Sequence, residues 1–154
     1  DRVAPGGPLM YLVDTNVISA LATKSGHHDD VADWLDGQGQ GLFLSVVTAA
    51  EVVCGIAKAE REGATAKAAR LREWWHAVEE LYASRILPVD VRVSRAIGRM
   101  MDAARAHAPG FGDIAIAATA QAHGLTVLTR NLRHFSVLGV AALDPFQVLP
   151  SASP

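Results

Sequence analysis

Cysteine is nearly absent from this sequence: Cys54 is the only one in 154 residues. A lone thiol excludes an intrachain disulfide framework and any metal knot built from several cysteines. Set in Val52-Val53-Cys54, it reads as a small core residue, in keeping with a reducing, cytoplasmic setting. Excess charge is missing too. Lys and Arg total 14 against 16 Asp and Glu, a net charge of −2. Any nucleic acid must then be met by a local patch rather than by the whole surface. No apolar run approaches the roughly 18 residues of a membrane span, and no signal peptide is visible, so no membrane association is expected. Internal repeats and linker-like breaks in composition are also lacking.

What is present is a core. Half of the residues are hydrophobic, enough to exclude disorder, and the length suits one domain. Residues 1–9 and 147–154, rich in Pro, Gly and Ser, are expected to be loose tails, the first of them alternatively an expression remnant. Between them, short apolar segments at 10–13, 42–46, 86–89, 126–129 and about 139–143 predict strands. Helical patterns near 16–23, 29–36, 48–62, 65–84, 91–107 and 113–123 separate them. Strands alternating with helices imply βαβ units and a mostly parallel α/β sheet. Pro88 cannot donate to a ladder, which places the third strand at an edge.

Polar residues arrive where these strands end. Asp14 closes Met10-Tyr11-Leu12-Val13 and precedes a helical stretch, and ligands of open α/β sheets bind at such carboxyl ends. Glu51 follows the second strand. Thr48 and Glu51 match a capping box, which would make Glu51 structural; yet it lies off the apolar face of Ala49, Val52, Val53 and Ile56, so a site role stands beside that reading. Asp113 opens the helix that Gly124 closes. It reads as an N-cap, or as an acid held near the strand ends by the small residues behind it. Asn131 follows Thr126-Val127-Leu128-Thr129-Arg130 and reads as a turn residue or a fourth site group. Three crowded carboxylates force at least one pKa upward unless a cation lies between them. Oxygen donors without histidine suit Mg²⁺ or Mn²⁺, which can polarise a phosphodiester and supply a hydroxide.

These pieces resemble the PIN domain and, within it, the VapC-type ribonuclease toxins of toxin–antitoxin pairs. The matching motifs are Leu12-Val13-Asp14-Thr15-Asn16, Thr48-Ala49-Ala50-Glu51, Gly112-Asp113-Ile114-Ala115-Ile116-Ala117-Ala118-Thr119-Ala120 and Leu128-Thr129-Arg130-Asn131-Leu132-Arg133-His134-Phe135. The resemblance covers residues 10–146. It implies a doubly wound, mostly parallel five-stranded sheet in a single domain, and a Mg²⁺-dependent endoribonuclease site of Asp14, Glu51, Asp113 and Asn131. Asp14 and Asp113 are then the expected metal ligands, with Mn²⁺ as an alternative ion. Thr15, Asn16, Arg130 and Arg133 are the expected substrate contacts. It further implies an RNA substrate such as a transfer-RNA or ribosomal-RNA loop, a small VapB-like antitoxin and a homodimer. His134 departs from the pattern, standing where many relatives carry an acid.

Other conspicuous residues read as structural. His27-His28-Asp29-Asp30 precedes a helix as a loop and cap, Asp90 caps the helix from Val91, and His123 has no partner at metal spacing. Arg92, Arg95 and Arg99 share a helix face, with Arg85 and Arg105 nearby in sequence. A solvated face and a phosphate-contacting stripe both fit them. Trp74 and Trp75 extend an apolar stripe into the core, unless one meets a partner chain. Two other functions compete. A phosphoacceptor signalling domain also puts acids at strand ends, but would need paired early acids and a lysine after the last strand. A non-catalytic interaction module is opposed by the intact set of acids.

Overall fold

The computed structural model describes residues 9–22 and 28–150. Strands β1 (Tyr11–Val13), β2 (Leu42–Ser45), β3 (Ile86–Leu87), β4 (Thr126–Leu128) and β5 (Ala142–Leu143) form one parallel sheet in the order β3-β2-β1-β4-β5. β3 is an edge strand that stops before Pro88, as the missing proline donor requires. The strand order reverses beside β1, which creates a topological switch point between β1 and β4.

Alternation along the strands divides the core. Tyr11 and Val13 of β1, with Leu42 and Leu44 of β2, point to one face. There they meet α1 (Thr15–Ala20), α2 (Asp29–Asp36), α3 (Val46–Arg61) and α4 (Thr65–Leu81) through Val17, Val31, Val52 and Trp75. Leu12 and Val127 point to the other face. They meet α5 (Val91–Ala103), α6 (Phe111–His123) and α7 (Leu132–Ser136) through Val93, Ile116 and Phe135. Both faces of β1 are covered, so all three of its residues are buried, as expected of a central parallel strand. The small residues Ala115, Ala117, Ala118 and Ala120 let α6 sit close to the sheet.

Several boundaries differ from the sequence reading. Ser45, not Thr48, caps α3, its hydroxyl accepting from the Val47 N–H at 3.0 Å. α6 begins at Phe111, so Asp113 lies inside its first turn and Gly110 holds the cap position. The helix α7 was not anticipated; five residues are too few to show a periodicity. Cys54 is exposed on α3 rather than buried. Trp75 is buried, while Trp74 is partly buried against the same core. Asp90 does cap α5, accepting from the Val93 N–H at 2.9 Å. His27 and most of the expected tails lie outside the described residues. Gln147 and Val148 donate back to the Asp144 carbonyl. No described helix is long and apolar enough to cross a membrane.

Arg85 proves to be an internal fastener. It is 7 % exposed, and its guanidinium donates to the carbonyls of Gly39, Leu42 and Leu81 at 3.2, 2.7 and 3.2 Å. It also lies 4.5 Å from the Tyr82 ring centre. Arg85→Met should therefore strand buried carbonyls and cost about 3 kcal/mol, by the scale of bonds to charged groups. Urea unfolding checks this. A midpoint unchanged from the parent would show that water replaces the guanidinium without loss.

Candidate active site

The switch point gathers the acids. The Asp14 N–H donates to the Leu128 carbonyl at 2.8 Å, extending the pairing of β1 with β4 by one residue. Its side chain then turns into the crevice as the N-cap of α1. Oδ1 accepts from the Thr15 N–H and Oδ2 from the Thr129 hydroxyl, both at 2.8 Å. Asp14 is only 4 % exposed.

Burial pushes the Asp14 carboxyl up to about 6, against the pull of its two hydrogen bonds; Asp113 and Glu51 push the same way more weakly. The crowding expected from the sequence is thus present, but withdrawal from water is the larger cause. Those contributions also show that the three acids share one electrostatic neighbourhood. Among the described residues, however, no three acid, histidine or cysteine side chains lie close enough to enclose an ion between them.

Glu51 projects from the second turn of α3. Its Oε1 lies 3.1 Å from the Thr15 hydroxyl, which is also 3.1 Å from the Thr48 hydroxyl. The carboxylate can only accept, so Thr15 donates to it. The start of α6 packs alongside: a Cβ added at Gly112 would sit 3.8 Å from Glu51 Oε1. Asp113 completes the acidic rim, its Oδ2 2.9 Å from His134 Nδ1. His134 therefore contacts Asp113 directly.

The remaining candidates fall into two groups. Asn16 is turned inward: Oδ1 accepts from the Arg130 N–H at 3.1 Å, and Nδ2 lies 3.5 Å from the Thr129 hydroxyl. Thr15 is likewise engaged with Glu51. Arg130, Asn131 and Arg133 are exposed on the turn into α7. The Asn131 N–H donates to Thr129 Oγ1 at 3.0 Å, but no hydrogen bond joins its side chain to the three acids. Arg92 is set apart, 3.3 Å from His123 Nδ1. That is the end of α6 opposite Asp113, about 15 Å away at the rise of an α-helix. Arg92, Arg95 and Arg99 are exposed along α5, which favours the solvated-face reading.

Thr129 is the group the sequence reading passed over. It is fully buried and joins Asp14, Asn16 and Asn131 through one hydroxyl. Its only signal was a threonine directly after the apolar pair Val127-Leu128.

A groove of about 310 Å³ starts at Glu51 and runs along α3 and α4, past Gly55, Lys58, Leu71 and Trp74. Groove and acids together define an α/β domain with an acidic site at the carboxyl edge of a doubly wound sheet. The chain belongs to the PIN-domain family, whose model matches residues 11–140. It is 36% identical over 141 residues to "VapC ribonuclease Y4jK" of Sinorhizobium fredii, covering 90% of this chain and 99% of that protein. It is 33% identical over 143 residues to "Toxin FitB" of Neisseria gonorrhoeae, covering 89% and 99%. Its fold matches the crystal structure of FitAcB from Neisseria gonorrhoeae with a TM-score of 0.72 at 32% identity, covering 90% of this chain and all of that one.

The Asp14 environment sets a pH dependence. Its proton leaves near 3.8 in the unfolded chain and near 6 in the folded one. Between those values the native state holds more protons, so this group removes stability as pH rises through that window. In metal-free buffer Asp14→Asn should raise the melting temperature at neutral pH. The gain should vanish once pH falls below the unfolded value. A gain that does not change with pH would refute this origin.

Proposed function

We propose that this chain is a VapC-type toxin: a metal-dependent endoribonuclease that cleaves RNA phosphodiesters and is held inactive by a cognate antitoxin. The observation that carries the proposal is a buried carboxylate, Asp14, at a sheet switch point with Glu51 and Asp113 as charged neighbours. The names of the relatives, a ribonuclease and a toxin, support the same reading.

The donor set fits a hard divalent ion. Mg²⁺ is commonly bound by one or two carboxylates and completes its shell with water and phosphate oxygens. Asp14 and Asp113 would hold it, with Mn²⁺ as the alternative, and when bound it would supply Lewis-acid stabilisation of phosphate charge. The protein's own groups divide the rest. Glu51, more open than Asp14 and oriented by the Thr15 hydroxyl, accepts the proton of the attacking water. Thr129 and the Thr15 N–H fix the two Asp14 oxygens. Arg130 and Arg133, exposed beside the site, meet substrate phosphates. Asn131, exposed on the same turn, is the fourth group of the catalytic set.

The groove beside Glu51 suits an antitoxin segment. Its Val52, Ile56, Leu71 and Trp74 side chains take an apolar face, and Glu51 at its head takes an arginine. The expected substrate is an unpaired loop of transfer or ribosomal RNA, where bases are free to be read. A homodimer is part of the same proposal.

Excess chelator should abolish RNA cleavage, and Mg²⁺ or Mn²⁺ should restore it; cleavage unaffected by chelator would sink the mechanism. Asp14→Asn should lose about a hundred-fold in rate, the scale of a lost electrostatic contact at a reacting centre. Thr129→Val removes a bond that lowers the Asp14 pKa, so it should move the acid limb of the pH–rate profile upward. Thr129→Ser should return it. A limb that stays in place would show that Thr129 serves packing alone.

A further inference from the structure

Beside the acids lies an arrangement that phosphodiester hydrolysis does not require. The Arg130 guanidinium carbon sits 4.8 Å from the centre of the Phe146 ring. His28 meets that ring edge-on, at 4.7 Å and 74°. Phe146 is held in place, its N–H donating to Asp144 Oδ1 at 2.9 Å and its ring packing against the α1–α4 core. The Arg130 backbone is fixed as well, through the N–H bond to Asn16 Oδ1. Three segments remote in sequence thus converge one residue from Thr129, which bonds Asp14.

Arg130 is exposed and forms no ion pair among the described residues. A cation that only had to meet phosphate would need charge and freedom, not an aromatic backing. A planar guanidinium supported by a ring instead offers a flat, positively charged surface. Unpaired bases of RNA stack on aromatic rings and on arginine planes of this kind. We propose that Arg130, Phe146 and His28 form a stacking shelf for one unpaired nucleobase beside the scissile phosphate. The shelf rests on the ribonuclease reading and adds to it a residue-level source of substrate choice.

The test uses the full chain in excess chelator, so that nothing is cut. Fluorescence anisotropy measures binding of labelled oligouridine and of the same oligomer carrying abasic riboses. Phe146→Leu and Arg130→Lys should each weaken binding of the intact oligomer about tenfold, the scale of one lost base stack. Phe146→Leu should not alter binding of the abasic oligomer, which keeps every phosphate, and Arg130→Lys should weaken that binding less than binding of the intact oligomer, because the charge that meets phosphate is retained. Arg130→Lys retains the charge and lies at the surface, so it reports even if Phe146→Leu folds poorly. Equal losses on both oligomers, unchanged binding of the intact one, or no binding by the folded parent would each overturn the shelf. Cleavage of total RNA by the parent after adding Mg²⁺ or Mn²⁺ is read alongside. Retained cleavage with a failed shelf leaves the ribonuclease reading intact, whereas no cleavage refutes that reading itself.

Discussion

The site depends on two strands ending side by side. β1 and β4 pair in parallel with Val13 opposite Leu128. The next residue on each strand then supplies half of the bond between Asp14 Oδ2 and the Thr129 hydroxyl. Side chains alternate along a strand, so a slip of one residue would send either partner to the wrong face. The register is secured by burial on both sides, Val13 and Leu128 facing the α1–α4 layer while Leu12 and Val127 face the α5–α7 layer. The core thereby fixes the chemistry.

The groups around the acids are mostly neutral. Thr15 and Thr129 orient the Asp14 and Glu51 carboxylates without cancelling their charge, and Thr48 and Asn16 in turn contact those two threonines. Among the described residues, His134 is the basic side chain in contact with a site acid, and it touches Asp113 rather than Asp14. The carboxylates are thus oriented but little compensated by neighbouring charge, and Asp14, being buried, has also lost the solvent that would otherwise share its charge.

Much of this was legible in the chain, and the failures have physical reasons. Strand positions followed from apolar runs, the edge position of β3 from Pro88, and the acids from their places at strand ends. Glu51 was weighed as half of a capping box because Thr48 and Glu51 have its spacing. Ser45, three residues earlier, caps the helix, and Thr48 turns inward against Thr15. Asp113 looked like a helix opener because Gly110 and Gly112 read as a turn, although α6 already starts at Phe111. Cys54 looked internal from its apolar neighbours, yet the apolar face of α3 passes through Val52 and Ile56 and leaves it outside. The contacts among Arg130, Phe146 and His28 could not be read at all, since each partner comes from a different part of the chain.

Both outer strands of the sheet are two residues long, Ile86–Leu87 on one side and Ala142–Leu143 on the other. Short borders offer an incoming chain little backbone to zip onto, which guards against edge-to-edge aggregation. They also restrict how any companion protein can attach. Recognition by strand addition needs a longer open border, so the surfaces left for selecting partners are the helical ones, where side chains rather than main-chain bonds decide the match.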